Sequence, residues 1–538
     1  MVNLQIEGQD ELSKLVERSR MLGKDPNLVL YGGGNTSSKI EEVDHLGNRN
    51  IVLRIKGSGT DLKTIGEDGF SGVYLEEILP LLDKDKMTDE EMVDYLAKCM
   101  VSATDRRPSI ETLLHGFLNA KHVDHVHSDA ICTLTNHPNS EEIVKKVLGE
   151  NIAFVPYIRP GFELSKKVKE FEDSYAIVLE HHGLVTWGET HEESYLKTIE
   201  LEEKARKYIE ENVVKRSEEQ QEILSVEEKN TLLLTLRGVL SKKQRQIIHV
   251  DESQLHISVR DDVDLIATGG RSTLEHILRI GKDSLVITAD DDVNEKVESF
   301  KKQYEDYYYR HIDRIPTGYT MHSNINPRVG LIKGWGCFGA DITLNGAKRC
   351  TEIAQHTHQV AANVLDLFGN FKTLTEEEIF DIDYWPLELY KLKLLPPVPS
   401  LAGYIVIISG VSNTSEVEVL QKVLQKGAHV VLLGEENKSP LLLKEKYGQQ
   451  LVTVIGDLNI AIQAAIDHFG GLDGVILGEK SHTSTNELDL VNSIFELQNL
   501  TGFIVTSQVI DATYQSTAII KYKSDGTGLK GISELIGN

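Results

Sequence analysis

Apolar residues recur with two different periods over residues 1–215. Around residues 8–23 and in "THEESYLKTIELEEKARKYIEENVVK" they return every three or four positions, which predicts amphipathic helices. Shorter apolar runs lead into glycine-rich or histidine-rich segments and predict strands; they are "NLVLYGGGNTSSKI", "IVLRIKGSGTDL", "VDHVHSDAICTLTN" and "SYAIVLEHHGLVTWG". Strands that alternate with helices predict an α/β domain for this part of the chain.

A weaker copy of this pattern is expected over residues 216–395. "RSTLEHILRIGKDSLVITADD" resembles "PSIETLLHGFLNAKHVDHVHSDA", and the segment that begins "PRVGLIKGWG" resembles the one that begins "YAIVLEHHG". This self-alignment sets Leu285 and Ile287 opposite two histidines of the first copy, and Trp335 opposite a third. The second copy has therefore lost the histidines, and we expect it to be a structural partner of the first.

A proline-rich joint, "LLPPVPS", precedes a third pattern over residues 396–538. Strand, turn, helix and strand follow one another in "LAGYIVIISGVSNTSEVEVLQKVLQKGAHVVLLGEE", and "LVTVIGD", "LDGVILG" and "TGFIVTSQV" supply further buried strands. Strands and helices in this order predict a doubly wound parallel sheet of the Rossmann-like kind.

Composition limits the partners of the chain. Its 538 residues are 40% hydrophobic and 26% charged, which is typical of a globular protein. The formal charge of −26 repels nucleic acid and anionic membranes, although a local pocket can still bind a small phosphorylated ligand. The four cysteines form no CxxC motif, and we find neither a signal peptide nor an apolar stretch long enough to span a membrane. A cytoplasmic location is expected.

The histidines predict a metal site. His125 and His127 are two residues apart in a predicted strand, so their rings point to the same face. Imidazole is the usual ligand of zinc, and a catalytic zinc site typically has three protein ligands and one open position. "LEHHGLV" offers the third imidazole, followed by Gly183, where the backbone passes close to a ligand. An HxH pair alone is more often a hydrogen-bonded surface pair, and the second histidine cluster is what favours a metal.

Glycine turns and one carboxylate accompany the histidines. "YGGGNTSSK" and "KGSGTDL" each follow a predicted strand and let backbone N–H groups approach a phosphate, although tight connections with solvated polar residues explain them equally well. Glu111 lies near the start of a predicted helix opened by Pro108. A carboxylate there commonly complements the helix dipole, but beside zinc it can act as a general acid/base with a raised pKa.

Together, "YGGGNTSSK", "KGSGTDL", "PSIE", "HVDHVH" and "LEHHGLVTWG" resemble the class II aldolase/adducin family. The middle section, with "FDIDYWPLELYKLK", and "LAGYIVIISG" resemble the bifunctional branch that joins a rhamnulose-1-phosphate aldolase to a short-chain dehydrogenase. The resemblance implies a class II aldolase-like α/β/α domain at 1–215, a degenerate second copy at 216–395 and a truncated Rossmann-like domain at 396–538.

The resemblance also implies a zinc-dependent lyase. It makes His125, His127 and His182 the zinc ligands and Glu111 the acid/base. The substrate, a ketose phosphate such as rhamnulose 1-phosphate, would yield dihydroxyacetone phosphate and an aldehyde. Family members tend to form homo-oligomers. The residues expected to hold the substrate phosphate are Gly34, Asn35, Ser58, Gly59 and Ser109.

The carboxy-terminal segment departs from the dehydrogenase pattern. "SGVSNTSE" keeps only Gly410 of the glycine turn that holds a dinucleotide, Ser412 stands where that turn needs glycine, and Glu416 adds negative charge. No YxxxK motif is present: Lys521 follows Tyr514 by seven positions. We therefore expect the domain to keep its scaffold and to lose NAD(P)-dependent hydride transfer. An active short-chain oxidoreductase and a non-catalytic, adducin-like scaffold are the alternatives.

Overall fold

The computed structural model describes residues 4–214, 223–393, 396–411, 414–434, 438–478, 481, 483–506, 514 and 516–521. The expected domain boundaries at 215/216 and 395/396 lie at segments outside these residues. The chain forms two compact units. Unit 1 contains Met1–Ser217, Gly269–Leu278 and His356–Ile382, and unit 2 contains Glu218–Thr268, Arg279–Gln355 and Asp383–Asn538.

Unit 1 is built on a seven-stranded sheet of order β3-β2-β1-β4-β7-β6-β5. Neighbouring strands are antiparallel except β5 and β6, which are parallel. The strands are β1 (Asn35–Val43), β2 (Arg49–Lys56), β3 (Phe70–Tyr74), β4 (His122–Val126), β5 (Ile152–Val155), β6 (Ala176–Leu179) and β7 (Gly183–Gly188).

Helices cover both faces of this sheet. Along β6, Ala176 and Val178 belong to one buried apolar cluster, while Ile177 and Leu179 belong to another, as the alternation of side chains in a strand requires. An apolar run that is buried on both faces gives an α/β/α sandwich. The helices are α1 (Glu11–Gly23), α2 (Leu75–Ile78), α3 (Asp89–Lys98), α4 (Thr112–Phe117), α5 (Asp129–Thr135), α6 (Ser140–Leu148), α7 (Phe162–Lys169) and α8 (His191–Asn212).

Three predicted strands differ from the structure. The run before "GGG" is a turn, and β1 begins only after the glycines. "VDHVHSDAICTLTN" is strand only to Val126, because the Ser128 hydroxyl accepts a hydrogen bond from Ile131 N and starts α5. "SYAIVLEHHGLVTWG" folds back on itself as the antiparallel pair β6 and β7.

Unit 2 contains a four-stranded sheet of order β8-β11-β10-β9. Its strands are β8 (Ile247–Asp251), β9 (Leu285–Ile287), β10 (Val329–Ile332) and β11 (Gly336–Asp341). The first two neighbouring pairs are antiparallel and the last is parallel. The strands β4, β7, β6 and β5 of unit 1 have this same order and the same directions.

This topology corrects the self-alignment of the two copies. The expectation that Leu285 and Ile287 occupy the histidine positions is wrong, because β9 lies at the edge of its sheet, parallel to β10, as β5 does in unit 1. By strand order and direction, β8 has the place in its sheet that β4 has in unit 1. Both β7 and β11 begin with glycine. The third residue of β7 pairs with His125, and the third residue of β11 pairs with Val250, so Val250 has the register position of His125.

Two further positions follow from this register. Glu252 stands two residues after Val250, where unit 1 has His127, and Trp335 precedes the first glycine of β11, where unit 1 has His182. The Trp335 indole donates a hydrogen bond to Glu252 Oε1 at 2.9 Å. An indole N–H is a donor only, so this position in unit 2 has no imidazole nitrogen to offer a metal.

Unit 2 also contains a six-stranded parallel sheet of order β14-β13-β12-β15-β16-β17. The strands are β12 (Ile405–Ser409), β13 (His429–Leu433), β14 (Leu451–Val454), β15 (Gly474–Leu477), β16 (Gly502–Thr506) and β17 (Thr517–Lys521). The apolar runs predicted the first five; β17 was not predicted, because "STAIIK" is short and half polar.

The remaining helices complete the fold. None of the described helices is both long and apolar enough to cross a membrane. They are α9 (Val226–Leu240), α10 (Leu255–Ser258), α11 (Val263–Thr268), α12 (Leu274–Ile280), α13 (Val293–Arg310), α14 (Leu344–Phe368), α15 (Glu376–Asp383), α16 (Pro386–Lys393), α17 (Thr414–Gln425), α18 (Lys438–Tyr447), α19 (Leu458–Phe469) and α20 (Thr485–Gln498).

Candidate metal centre

Three imidazoles converge at one end of β4. His125 lies in the strand and His127 follows it, while His182 lies in the turn between β6 and β7. Because β7 runs antiparallel to β4, the turn before β7 lies beside the end of β4. Nε2 of His125 is 3.1 Å from Nε2 of His127 and 3.2 Å from Nε2 of His182. The structure thus brings together the three histidines that the sequence singled out.

The spacing and protonation of these rings fit a zinc ion. Nitrogens bound tetrahedrally at 2.0–2.1 Å stand about 3.3 Å apart, close to the separations seen here. His125 Nδ1 donates to the Leu184 carbonyl at 3.1 Å, which leaves the lone pair on Nε2. Burial lowers the pKa of His125 to about 4 and that of His182 well below its ordinary value. Both rings are therefore neutral near pH 7, as metal ligands must be.

Glu111 lies against the same centre, immediately before α4. Its carboxylate oxygens are 3.6 Å from His125 Nε2 and 3.5 Å from His182 Nε2. Asn35, the cross-strand partner of His125, donates its amide to Glu111 Oε2 at 2.6 Å. The sheet register thus places Asn35 next to His125, and the Asn35 amide holds the Glu111 carboxylate beside the histidines.

The expectation of a raised pKa for Glu111 is wrong. Burial alone would raise the pKa, but the three neighbouring imidazoles and the Asn35 amide outweigh it and lower the pKa to about 2. Glu111 is consequently an ionised carboxylate in the resting site. It is ready to accept a proton rather than to donate one.

Of the five residues expected at the phosphate, Asn35 is the first residue of β1, and the others lie in loops: Gly34, Ser58, Gly59 and Ser109. Ser109 Oγ accepts from the Asn35 amide at 3.3 Å, and the loop after β2 pairs with the segment before α4 through Ser58 N and the Arg107 carbonyl at 2.7 Å. That backbone donor is therefore engaged within the protein. Gly34 and Gly59 both have positive φ, at 58° and 81°, where glycine is favoured.

Lys56 is a residue at these loops that the sequence reasoning missed. Its side chain is buried, and its ammonium donates to the carbonyls of Gly32 and Gly34, the latter at 2.9 Å. A buried cation beneath the glycine turn makes the local potential positive. The signal available in the sequence was a lysine at the end of the predicted strand "IVLRIK", directly before "GSG".

Gly183 has a different role from the one expected. The sequence suggested that the backbone passes close to a ligand there, but it passes close to β4: a Cβ on Gly183 would lie 2.1 Å from the Val126 carbonyl oxygen. His181, two residues earlier in the same turn, has a φ of 54°, in the left-handed region. This tight turn directs His182 towards His125.

A second group of potential ligands in unit 1 does not suit a cation. Glu11, His122 and His191 have ligand atoms within 4.8 Å of one another. Arg18 Nη1 lies 2.9 Å from His191 Nδ1, and because arginine only donates, the proton of His191 must be on Nε2. Lys121 also pairs with Glu11. A protonated nitrogen and two nearby cations exclude a metal ion.

Gly410, the residue retained from the dinucleotide turn, follows β12 with a φ of 74°. A Cβ there would lie 2.5 Å from Ser481 Oγ, which itself hydrogen-bonds Ser409 Oγ at 3.0 Å. Ser412 lies outside the described residues. Glu416, in the first turn of α17, is buried, and its Oε1 would be 2.7 Å from a Cβ on Gly478.

Comparison with family models covers both halves of the aldolase-like region. Residues 13–209 match the class II aldolase and adducin amino-terminal domain. Residues 227–392 match a model described as the second domain of class II aldolase.

Three relatives are similar to the chain. The uncharacterized oxidoreductase YuxG of Bacillus subtilis is 33% identical over 86% of this chain and 72% of its own length. L-fuculose phosphate aldolase of Methanococcus maripaludis is 45% identical over 13% of this chain and 36% of its own length. Methylthioribulose-1-phosphate dehydratase of Geobacillus kaustophilus is 33% identical over 20% of this chain and 61% of its own length. The chain belongs to the class II aldolase and adducin family.

Proposed function

We propose that this protein is a zinc-dependent lyase of the class II aldolase type that cleaves a phosphorylated ketose, with rhamnulose 1-phosphate as the substrate to test first. One observation carries the proposal: three imidazole nitrogens lie within 4.8 Å of one another, with a buried carboxylate 3.5–3.6 Å from two of them. Three neutral nitrogens and one open position form the ligand set of a catalytic zinc. A non-catalytic scaffold would not need an open coordination position next to a buried carboxylate.

The reaction needs a Lewis acid and a proton carrier. His125, His127 and His182 would hold the zinc ion, which supplies a positive charge next to the ketose carbonyl, where negative charge develops as the carbon–carbon bond breaks. Glu111 accepts the proton of the hydroxyl on the carbon that leaves as an aldehyde, and it returns a proton to the remaining fragment. Asn35 holds Glu111 in place through the hydrogen bond to Oε2. Burial of the carboxylate keeps water away from it.

The phosphate end of the substrate is proposed to lie at the two glycine loops. Gly34, Asn35, Ser58, Gly59 and Ser109 would surround it, and the buried ammonium of Lys56 adds positive charge from below. Two relatives support a phosphorylated sugar, because their names refer to fuculose phosphate and to methylthioribulose 1-phosphate. Those names also describe two reactions, an aldol cleavage and a dehydration, and we favour the first because the residue motifs resemble the rhamnulose branch.

Metal content and retro-aldol activity test the proposal together. Purified protein should contain close to one zinc per chain and should release an aldehyde from rhamnulose 1-phosphate. His127→Ala should lose both properties while keeping its secondary structure by circular dichroism. His137→Ala, which removes a half-buried imidazole outside the centre, is the matched control and should keep both. Unchanged turnover in His127→Ala, or folded wild-type protein that binds no zinc, would refute the proposal.

Glu111→Gln separates proton transfer from metal binding. The amide is nearly isosteric with the carboxylate but accepts no proton, so zinc content should persist while turnover falls by about 10²–10⁴-fold. If the wild type releases a product in which water has been lost from an intact carbon chain, the reaction is dehydration. Chromatography of the products distinguishes the two outcomes.

We further propose that unit 2 performs no hydride transfer. Its parallel sheet reverses strand order between β12 and β15, the place where doubly wound sheets bind dinucleotides. The buried carboxylate of Glu416 lies against Gly478 at that place and would repel a pyrophosphate. The four-stranded sheet region is proposed to be a second aldolase-like copy that lacks counterparts of the three clustered histidines of unit 1. Calorimetric titration with NAD and NADP should give no heat of binding, and micromolar affinity for either would restore the oxidoreductase alternative.

A further inference from the structure

A carboxylate far along the chain lies behind one of the candidate zinc ligands. Glu275 Oε2 is 3.2 Å from His127 Nδ1, the ring nitrogen that faces away from the other two imidazoles. Both side chains are largely buried, with 9% of His127 and 16% of Glu275 exposed. Glu275 therefore faces His127 on the side opposite to the metal position.

The segment that carries Glu275 is fixed to the centre at several points. Thr273 Oγ1 donates to the His182 carbonyl at 3.3 Å, and the Asn136 amide donates to the Ser272 carbonyl at 2.9 Å. Ser272 N also donates to Thr357 Oγ1 at 3.0 Å. These hydrogen bonds hold the start of α12 beside two of the three histidines, within unit 1.

The glycine turn leaves space for this carboxylate. A Cβ on Gly33 would lie 2.3 Å from Glu275 Oε2 and 3.1 Å from His127 Nδ1. Any other residue at this position would displace the carboxylate or the ring. The absence of a side chain at Gly33 is thus part of how Glu275 reaches His127.

We propose that Glu275 is a positioning residue that fixes the ring and tautomer of His127 for metal binding. The inference rests on the proposed zinc site. A ligand histidine commonly directs its second nitrogen at a carboxylate, which keeps the proton on that nitrogen and leaves the lone pair on the other. Glu275 fixes the proton on Nδ1, so that Nε2, the nitrogen beside His125 and His182, is free to bind. The negative charge also makes the ring a stronger donor to zinc.

Zinc affinity measured by competition with a chromophoric chelator tests the proposal. Glu275→Ala should bind zinc about 10–100-fold more weakly than the wild type, the range that such outer carboxylates contribute. Glu275→Gln should recover part of the loss, since its amide oxygen keeps an acceptor beside Nδ1 but carries no charge. Glu141→Ala removes an exposed carboxylate on α6 and should leave the affinity unchanged. Wild-type affinity in folded Glu275→Ala would overturn the inference.

A second measurement on metal-free protein makes the two proposals separable. Histidine labelled with ¹⁵N reports which ring nitrogen carries the proton, and comparison with His127→Gln assigns the signal. The wild type should show His127 with its proton on Nδ1, and Glu275→Ala should show a mixture of tautomers. If the wild type binds no zinc, the metal site fails while this readout still decides the role of Glu275; a proton on Nε2 in the wild type would overturn that role.

Discussion

Gly183 stands where the chain leaves the histidine turn and enters β7 against the backbone of β4. A methyl group there would lie 2.1 Å from the Val126 carbonyl oxygen, and neither backbone segment can move without breaking the sheet register. The close contact sets the distance between β4 and β7, at whose ends the candidate zinc ligands lie. A substitution that disturbs this contact should therefore lower both the stability of the protein and its affinity for metal.

Gly183→Ala is expected to destabilise the protein by about 2–4 kcal/mol, since overpacking against backbone has no side-chain relaxation to relieve it. Urea unfolding measures the loss, and zinc content of the folded fraction should fall with it. Gly66→Ala is the control: its φ of −106° is ordinary, and the nearest atom to the new methyl belongs to the flexible Asp68 side chain. Equal stability of the two variants would contradict this reading of the turn.

Glu202 of α8 is a buried acid that makes the stability of the protein depend on pH. Burial raises its pKa to about 7, while the hydrogen bond from Ser128 opposes the shift and the charge of Asp129 adds to it. The folded protein therefore holds this proton more tightly than the unfolded chain does. As far as this group is concerned, stability is highest below about pH 4.5, falls as pH rises from there to about 7, and then changes no further because both states are ionised.

Glu202→Gln removes this pH dependence and keeps an acceptor for Ser128. At pH 8 the variant should be more stable than the wild type by up to about 3 kcal/mol, and at pH 4.5 the two should be nearly equal. Urea midpoints at both pH values provide the measurement. Glu203→Gln, on the exposed side of the same helix, should change neither. If the wild type is as stable as Glu202→Gln at pH 8, ionised Glu202 does not lower the free energy of unfolding, and this prediction is wrong.

The sequence predicted that the three histidines lie close together, but it did not predict what surrounds them. His125, His127 and His182 stand in short motifs whose spacing already implies a shared face or a shared turn, and the structure brings them together. Glu275 has no such motif: it reaches His127 only because α12 is fixed beside the histidines by tertiary contacts. Local spacing carries no information about contacts of this kind.

At the level of elements, apolar runs located strands but not their ends. In "SYAIVLEHHGLVTWG" the turn contains no proline and no glycine before position 183, and its geometry depends on the left-handed backbone of His181. The helix α5 contains two threonines, which favour strands, yet the Ser128 cap and burial against its neighbours make it helical. Capping and tertiary packing outweighed propensity at both places.

The equivalence of β8 with β4 was missed for a related reason. The self-alignment sets "SLVIT" opposite "DHVHS", and segments this short match many partners. Only the pairing directions show that β9 is an edge strand parallel to β10. The order of strands in a sheet is a non-local property, so a pairwise comparison of short segments cannot recover it.

A buried ion pair connects α9 to the parallel sheet inside unit 2. Arg237 is fully buried and pairs with Asp473, while its other guanidinium nitrogens donate to Gln498 Oε1 at 2.8 Å and to the Gln246 carbonyl at 2.8 Å. Asp473 in turn accepts from Ile405 N, in the first position of β12, at 2.9 Å. Removal of either partner leaves a buried charge with incomplete compensation.

Arg237→Met is therefore expected to cost about 3–5 kcal/mol of unfolding free energy, although methionine fills a similar volume. Chemical unfolding followed by circular dichroism measures the loss. The exposed pair of Lys204 with Glu200 provides the comparison, because Lys204→Ala should cost at most about 0.5 kcal/mol. A loss for Arg237→Met as small as for Lys204→Ala would mean that the buried pair contributes specificity rather than stability.

For the whole molecule, all candidate ligands belong to one compact unit. The three histidines and Glu111 lie in unit 1, and unit 2 contains none of them. Zinc binding stabilises only a folded unit that contains the site, by an amount that grows with the logarithm of metal concentration over the dissociation constant. The two units should therefore respond differently when the metal is removed.

Scanning calorimetry of protein treated with a chelator tests this expectation. Restoring zinc at 100 times its dissociation constant should stabilise unit 1 by about 2.7 kcal/mol and leave the transition of unit 2 in place. The His127→Ala protein, which lacks a ligand, should show no such shift. Equal displacement of every transition by zinc would show that the units unfold together, and no displacement in the wild type would argue against the metal site.

Unit 1 is assembled from parts of the chain that are synthesised at different times. Its residues come from three separate stretches of chain, of which the second ends at Leu278 and the third at Ile382. A nascent chain of 217 residues contains the three histidines and Glu111, but the carboxylate behind His127 has not yet been synthesised. If zinc binds at that stage, it binds before Glu275 is in place, and only translation of α12 supplies that carboxylate afterwards.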